Sequence, residues 1–143
     1  MRASIIASER GSVLVLGIGL IGVIIFALSV AVDASLAFVQ RSAIQARADA
    51  AVLAGAQAID LDSYYATGAT PASRLSPEAA RSRTLQHLDR AQRTSTIDGL
   101  EVIAVYASPL DVSAVIAAPL RTAFWPIEAT IRVQARAQLD YVG

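Results

Sequence analysis

The sequence predicts an α+β fold in which a long N-terminal helix crosses a membrane and leads into a small domain with a second helix and a three-stranded antiparallel sheet. Three observations support this prediction. An uncharged apolar run lies near the N-terminus, a helix start is recognisable at residues 76–78, and apolar and polar residues alternate over residues 127–141. The run has the length of a bilayer, and such alternation is typical of a strand with one buried face.

The apolar run extends from Ser12 to Val32 and contains 21 residues without a charge. At about 1.5 Å per residue it is about 30 Å long, which matches the hydrocarbon core of a bilayer. A chain of 143 residues could hardly cover a helix that is apolar on every face. The run is also longer than the apolar core of a signal peptide, although Ser35–Ala37 would offer a weak cleavage site. We therefore interpret it as a retained single-pass anchor.

The helix is expected to continue beyond the membrane, because neither Pro nor Gly interrupts the chain between Gly22 and Gly55. This gives one rod over residues 12–58, about 70 Å long. Small and apolar residues recur along it at spacings of three and four. The face predicted to pack, against either a sheet or a neighbouring copy, consists of Leu36, Val39, Ala43, Ala46, Ala50 and Leu53.

The remaining chain has the local signals of a small α+β domain over residues 77–143. Ser76, Pro77 and Glu78 supply a capping hydroxyl, a first-turn proline and a first-turn acid. A short Ser108–Leu110 connection between two β-rich runs suggests a hairpin. The predicted segments are a tail at 1–11, a transmembrane helix at 12–32, its continuation at 33–59, a linker at 60–76, a helix at 77–93, and strands at 100–107, 111–118 and 127–141.

Charges next to the apolar run leave its orientation nearly balanced, since Arg2 and Arg10 on one side oppose Arg41 and Arg47 on the other. Only a short tail precedes the run, and the larger part of the chain follows it. We therefore expect a cytoplasmic N-terminus and an extracytoplasmic C-terminal domain in the cell membrane.

Small residues within the apolar run predict a helix-packing strip, formed by Gly19 and Gly22 on one face with Ser29 one heptad after Gly22. The same stretch contains a formal GxGxxG pattern from Gly17 to Gly22. A phosphate-binding turn needs a preceding strand and an aqueous phosphate, neither of which a lipid-embedded helix offers. We expect no cofactor.

Composition argues against several classes of function. The chain has no Cys, one His and a formal net charge of zero, so thiolate chemistry, zinc-thiolate sites and an electrostatic footprint for nucleic acid are not expected. His87 is interpreted as a surface or half-buried helix residue rather than a ligand. No catalytic motif is present, and we expect no enzyme and no metal site. A tethered binding module stays open as an alternative, with Tyr64, Tyr65, Phe124 and Trp125 as contact residues.

The N-terminal region resembles TadE/TadG-like proteins of the tight-adherence (Flp-type) pilus-assembly system. The resemblance rests on Glu9–Ser12, the apolar run, Asp33, and the stretch Ile44–Ala56. It implies a pseudopilin-like or accessory component whose partners are other pilus and secretion-system subunits, or a second copy, besides the lipid bilayer. The small domain is accordingly expected to be pilin-like.

The resemblance also suggests roles for particular positions. Family members cut by prepilin peptidase carry Glu five residues after the cleavage-site Gly, whereas here Gly11 is followed at that distance by Leu16. Gly11 is therefore a doubtful processing site. Asp33 and Asp49 match acidic positions of the family and are candidates for pairing with Arg on a neighbouring helix. The alternative is that Asp33 only marks the edge of the membrane and that Asp49 lies on a solvated face of the helix. We favour this alternative for Asp49 and leave both interpretations open for Asp33.

Overall fold

The structure, a computed structural model, describes residues 4–60, 65–66, 74–94 and 99–138. It contains the long apolar helix, the second helix and the three antiparallel strands, which confirms the predicted α+β class. The elements are α1 (Ser4–Ala56), α2 (Pro77–Thr94), β1 (Glu101–Ala107), β2 (Asp111–Pro119) and β3 (Thr130–Gln138).

Helix α1 begins at Ser4, eight residues earlier than the predicted rod, because nothing in the preceding tail interrupts helical hydrogen bonding. Among the described residues it is the one helix long and apolar enough to cross a membrane. That property rests on length and composition. The apolar segment itself is exposed throughout nearly its whole length in the isolated chain, as expected of a surface that lipid would cover.

The sheet has the order β1-β2-β3, with both pairs antiparallel. The β1–β2 hairpin turns at the predicted connection, where the Ser108 hydroxyl accepts a hydrogen bond from Asp111 N at 3.0 Å. The Asp111 carboxylate in turn accepts one from Arg136 Nε of β3 at 3.0 Å. These contacts tie one end of all three strands together.

Strand β3 shows the predicted alternation, with Val133 and Ala135 buried and the intervening polar residues exposed. It begins at Thr130 rather than at residue 127. The reason is local: Ala129 N donates to Ile127 O at 3.1 Å, a turn that interrupts strand pairing, and Ile127 is exposed. The end predicted beyond Gln138 lies outside the described residues.

Helix α2 begins at Pro77, as its capping signals predict, and Ala80 N donates to Ser76 O at 2.8 Å. Most of the predicted linker lies outside the described residues, but its two ends meet. Ile59 and Leu75 form an isolated antiparallel bridge, and the side chain of Leu75 is buried.

The chain divides into two compact units. The N-terminal unit comprises Met1–Ala37 and Arg121–Pro126, and the α/β unit comprises Phe38–Leu120 and Ile127–Gly143. The core of the α/β unit joins the C-terminal part of α1 to α2 and all three strands. Its buried residues include Ile44, Ala48, Ala51, Val52, Ala80, Leu88, Val105, Val112, Ala114, Ile116, Ala118, Val133 and Ala135.

The packed face of α1 differs from the predicted one. Ile44, Ala48 and Val52 are buried, whereas Val39 and Leu53 of the predicted stripe are 63% and 58% exposed. The predicted stripe therefore does not face the sheet of its own chain, and most of its members are exposed. Packing of this stripe against a neighbouring copy stays a prediction.

Candidate functional site

The most specific polar site of the N-terminal unit is formed by Asp33 and the segment Arg121–Pro126, which we call the aromatic loop. Asp33 is only 7% exposed. Its Oδ1 accepts hydrogen bonds from Ala123 N at 2.7 Å and Phe124 N at 3.2 Å, and its Oδ2 accepts them from Trp125 N at 3.0 Å and Phe124 N at 3.3 Å. Three consecutive backbone amides thus converge on one carboxylate.

The chemistry of this contact suits a charged Asp33. An ionised carboxylate only accepts hydrogen bonds, and successive backbone N–H groups that point inwards form a concave anion site. Hydrogen bonds from backbone amides favour the charged form of a carboxylate over the neutral one. The site therefore places a compensated negative charge directly after the apolar segment, at the position where the sequence leaves the predicted membrane span.

Local sequence shapes the loop. The Thr122 hydroxyl donates to the carbonyl of Trp125, which closes the turn over the three amides. Pro126 follows and has no N–H of its own, so the run of backbone donors ends at Trp125. Within the aromatic loop, the three consecutive backbone donors of residues 123–125 therefore all have partners at Asp33.

The aromatic side chains of the loop lie along the apolar segment. The rings of Phe26 and Trp125 meet edge to face, with centroids 5.7 Å apart and planes inclined at 80°. Such pairs contribute about 0.5–1.5 kcal/mol beyond the area that they bury. Beside them is an open apolar groove of about 510 Å³, lined by Gly22, Ile25, Phe26, Leu28, Ser29, Val32, Phe124 and Trp125.

The predicted helix-packing residues lie on accessible parts of α1. A Cβ atom added at Gly19 or Gly22 would meet nothing within 4 Å. Gly22 and Ser29 also line the groove beside the aromatic loop. The Ser29 hydroxyl donates to Phe26 O at 2.8 Å, within the helix. A neighbouring helix at this strip stays a prediction.

The other singled-out residues are more ordinary. Asp49 is exposed and accepts a hydrogen bond from Gln45 Nε2 at 2.9 Å. A Cβ atom added at Gly11 would be unobstructed, and Leu16 is 74% exposed. His87 is half-buried, and the described residues contain no group of acidic, His or Cys side chains suited to a metal ion. Tyr65 is exposed, while Tyr64 lies outside the described residues.

Two functional contacts were missed by sequence reasoning. The first is the set of hydrogen bonds from the aromatic loop to Asp33, which joins residues about 90 positions apart along the chain. The second is a close helix contact at Gly55, where an added Cβ would lie 3.0 Å from Ala80 O and 3.3 Å from Val112 Cγ1. A glycine at the end of a small-residue helix is a signal for close approach, but it does not name the partner.

The comparisons with known proteins agree with the resemblance seen in the sequence. The family model that matches describes the TadE/G-like Flp pilus-assembly domain, and the match covers residues 11–58. No curated protein and no solved structure gives a match. Asp33, Asp49 and Gly55 all lie within the matched range, whereas the aromatic loop and the sheet lie outside it. The match over residues 11–58 therefore confirms the predicted resemblance to TadE/G-like pilus-assembly proteins in this part of the chain.

Proposed function

We propose that the chain is a membrane-anchored, pseudopilin-like accessory component of Flp/Tad-type pilus assembly and secretion, which acts by packing its N-terminal helix against other subunits or a second copy. The family match over residues 11–58 carries this proposal, because it covers the apolar helix and its continuation. It supports a role in pilus assembly and a structural rather than an enzymatic one.

The exposed surface of α1 supports the proposed mode of action. Glycines without a nearby atom, such as Gly19 and Gly22, let a second helix approach closely in a membrane. In lipid, close packing of small residues is a main source of attraction between helices, because the hydrophobic effect does not act between them. The strip is thus suited to contact between helices of neighbouring subunits.

Photo-crosslinking tests this function directly. A benzoylphenylalanine placed at Gly19 is expected to form adducts with pilus-assembly subunits or a second copy in the cells from which the chain comes, with the partner identified by mass spectrometry. Ile21 is the matched control, since it is exposed in the same apolar segment and lies about 200° around the helix from Gly19.

Adducts of both positions with lipid alone would contradict the packing mechanism. Copurification with a free ligand, and with no pilus subunit, would instead favour the tethered binding module. Either result would leave the membrane anchor itself in place, because both crosslinkers sit in the apolar segment.

The proposed topology makes a separate prediction, which the absence of native cysteine makes simple to test. In spheroplasts, a Thr94→Cys variant should react with a membrane-impermeant maleimide, whereas a Ser4→Cys variant should react only after lysis. The opposite pattern would reverse the proposed orientation.

The intact mass of the labelled protein also reports whether the chain is cut after Gly11. We expect the uncut chain, because Leu16 stands where processed family members carry Glu.

A further inference from the structure

We propose that the aromatic loop is a second membrane contact, in which Phe124 and Trp125 enter the bilayer interface beside α1 and lipid acyl chains occupy the adjoining groove. This inference rests on the membrane residence proposed above, but it concerns a part of the chain outside the family match. The occupant of the groove is a lipid acyl chain, and the helix contact proposed above then centres on Gly19, which does not line the groove.

Continuity with the apolar segment is the first argument. Residues 22–32 of that segment form the helical wall of the groove, and Phe26 lies against Trp125. Phe26 precedes Asp33 by seven residues, or about 10 Å along a helix. If the segment crosses a membrane, the side of α1 that carries Phe26 faces lipid, and so does the ring of Trp125 beside it.

The backbone of the loop supplies the second argument. Irregular backbone is excluded from hydrocarbon chiefly because its N–H groups lack partners there. Here the amides of Ala123, Phe124 and Trp125 all donate to Asp33, and Pro126 has no amide to satisfy. The part of the loop that carries the rings can therefore approach lipid without exposing a donor.

The side chains provide the third argument. Phe124 and Trp125 are 61% and 46% exposed, although they lie next to each other and beside an apolar groove. Adjacent exposed aromatic rings are costly in water, and Trp is enriched at membrane interfaces, where its ring is in the apolar zone and its N–H reaches the headgroups. A position at the bilayer interface would shield both rings from water and leave the indole N–H of Trp125 at the headgroups.

Trp125 is the single tryptophan of the chain, so its fluorescence reports on this loop alone. The full-length protein is reconstituted into phosphatidylcholine vesicles that carry bromine at defined depths on their acyl chains. We expect loss of most of the Trp125 emission at a shallow bromine position, a blue-shifted maximum in unbrominated lipid, and little quenching by aqueous acrylamide. A Trp125→Phe, Tyr106→Trp variant is the matched control, since Tyr106 is 67% exposed in β1 and should respond in the opposite way.

Three results would overturn the inference. Quenching by acrylamide and not by bromolipid would place the loop in water. Protection from both quenchers, persisting when the protein is diluted in excess lipid, would show that protein covers the groove. Failure of the wild-type chain to float with vesicles would overturn the membrane residence as well, and so differs from the first two results, which leave the proposed function intact.

Discussion

Replacing Gly55 by alanine is expected to destabilise the α/β unit by about 1–3 kcal/mol, the usual cost of forcing an extra methyl group into a packed core. The new Cβ would overlap the hydroxyl of Thr84 and lie 3.0 Å from the carbonyl oxygen of Ala80. Rotation of the hydroxyl out of the way would break its 2.8 Å hydrogen bond to Ala80 O inside the core, because Thr84 is fully buried. Helices α1 and α2 must therefore separate to accommodate the change.

Amide hydrogen exchange of β2 peptides measures this loss in the full-length protein, because β2 carries much of the core that α1 and α2 cover. Gly17→Ala is the matched control, since a Cβ at that position meets nothing within 4 Å. We expect faster exchange in Gly55→Ala and unchanged exchange in Gly17→Ala. Equal exchange in both variants would show that Gly55 is not a tight contact.

A second substitution tests the cause. Thr84→Ala removes the nearest obstructing atom while leaving Ala80 O in place, so it should recover part of the stability lost in Gly55→Ala. Because the two residues touch, their effects should not be additive, with a coupling of about 0.5–3 kcal/mol. Additive losses would mean that the methyl group at position 55 acts elsewhere.

Features with a strong local cause could be predicted from the sequence. The apolar segment was visible because a run of 21 uncharged residues has few other uses in so short a chain. The start of α2 followed from Ser76 and Pro77, because a capping residue type and a proline at the first helical position are both signals that act within one turn. The β1–β2 hairpin was equally local, since a short connection leaves two neighbouring strands little choice but to pair.

The packed face of α1 was not predictable in the same way. Its outer half is rich in alanine, so small apolar residues lie on several sides, and a period of three and four fits more than one of them. The stripe through Val39 and Leu53 and the buried row of Ile44, Ala48 and Val52 are both consistent with that period. Only the positions of α2 and the sheet decide between them, and those are properties of the tertiary structure.

The contact between Asp33 and the aromatic loop also depends on the tertiary structure and could not be predicted from local sequence patterns. The sequence indicated Asp33 as a candidate pairing residue and Phe124 and Trp125 as contact residues of a binding module, but nothing in it linked the two places. Their contact is made by backbone amides, which every residue except proline has, and so it leaves no pattern in the side chains. An acidic residue directly after an apolar segment indicates that donors must be found nearby, without indicating where in the chain they lie.

Replacing Asp33 by alanine is expected to release the aromatic loop. The variant removes the acceptor for three amides at once, and a hydrogen bond to a charged group contributes about 1.5–3 kcal/mol. Loss of even one such contribution corresponds to an increase of about tenfold or more in the exchange rates of the loop amides. Hydrogen exchange of a peptide spanning residues 121–127 measures the effect. Asp33→Asn keeps one acceptor oxygen, so its exchange rate should lie between those of the unsubstituted chain and Asp33→Ala.

Asp49→Ala is the matched control, because Asp49 lies on the same helix but is exposed and accepts a hydrogen bond from Gln45 within the helix. It should leave hydrogen exchange of the loop unchanged.

Hydrogen exchange and crosslinking of Asp33→Ala together separate two roles of Asp33, namely pairing with Arg on a neighbouring helix and binding the loop of its own chain. A carboxylate has about four lone-pair sites, so the amides of its own loop do not use up its capacity to bind Arg on another subunit. If Asp33→Ala leaves loop exchange unaltered but weakens crosslinking from Gly19, its principal partner is a neighbouring helix. If loop exchange accelerates and crosslinking persists, Asp33 acts within its own chain.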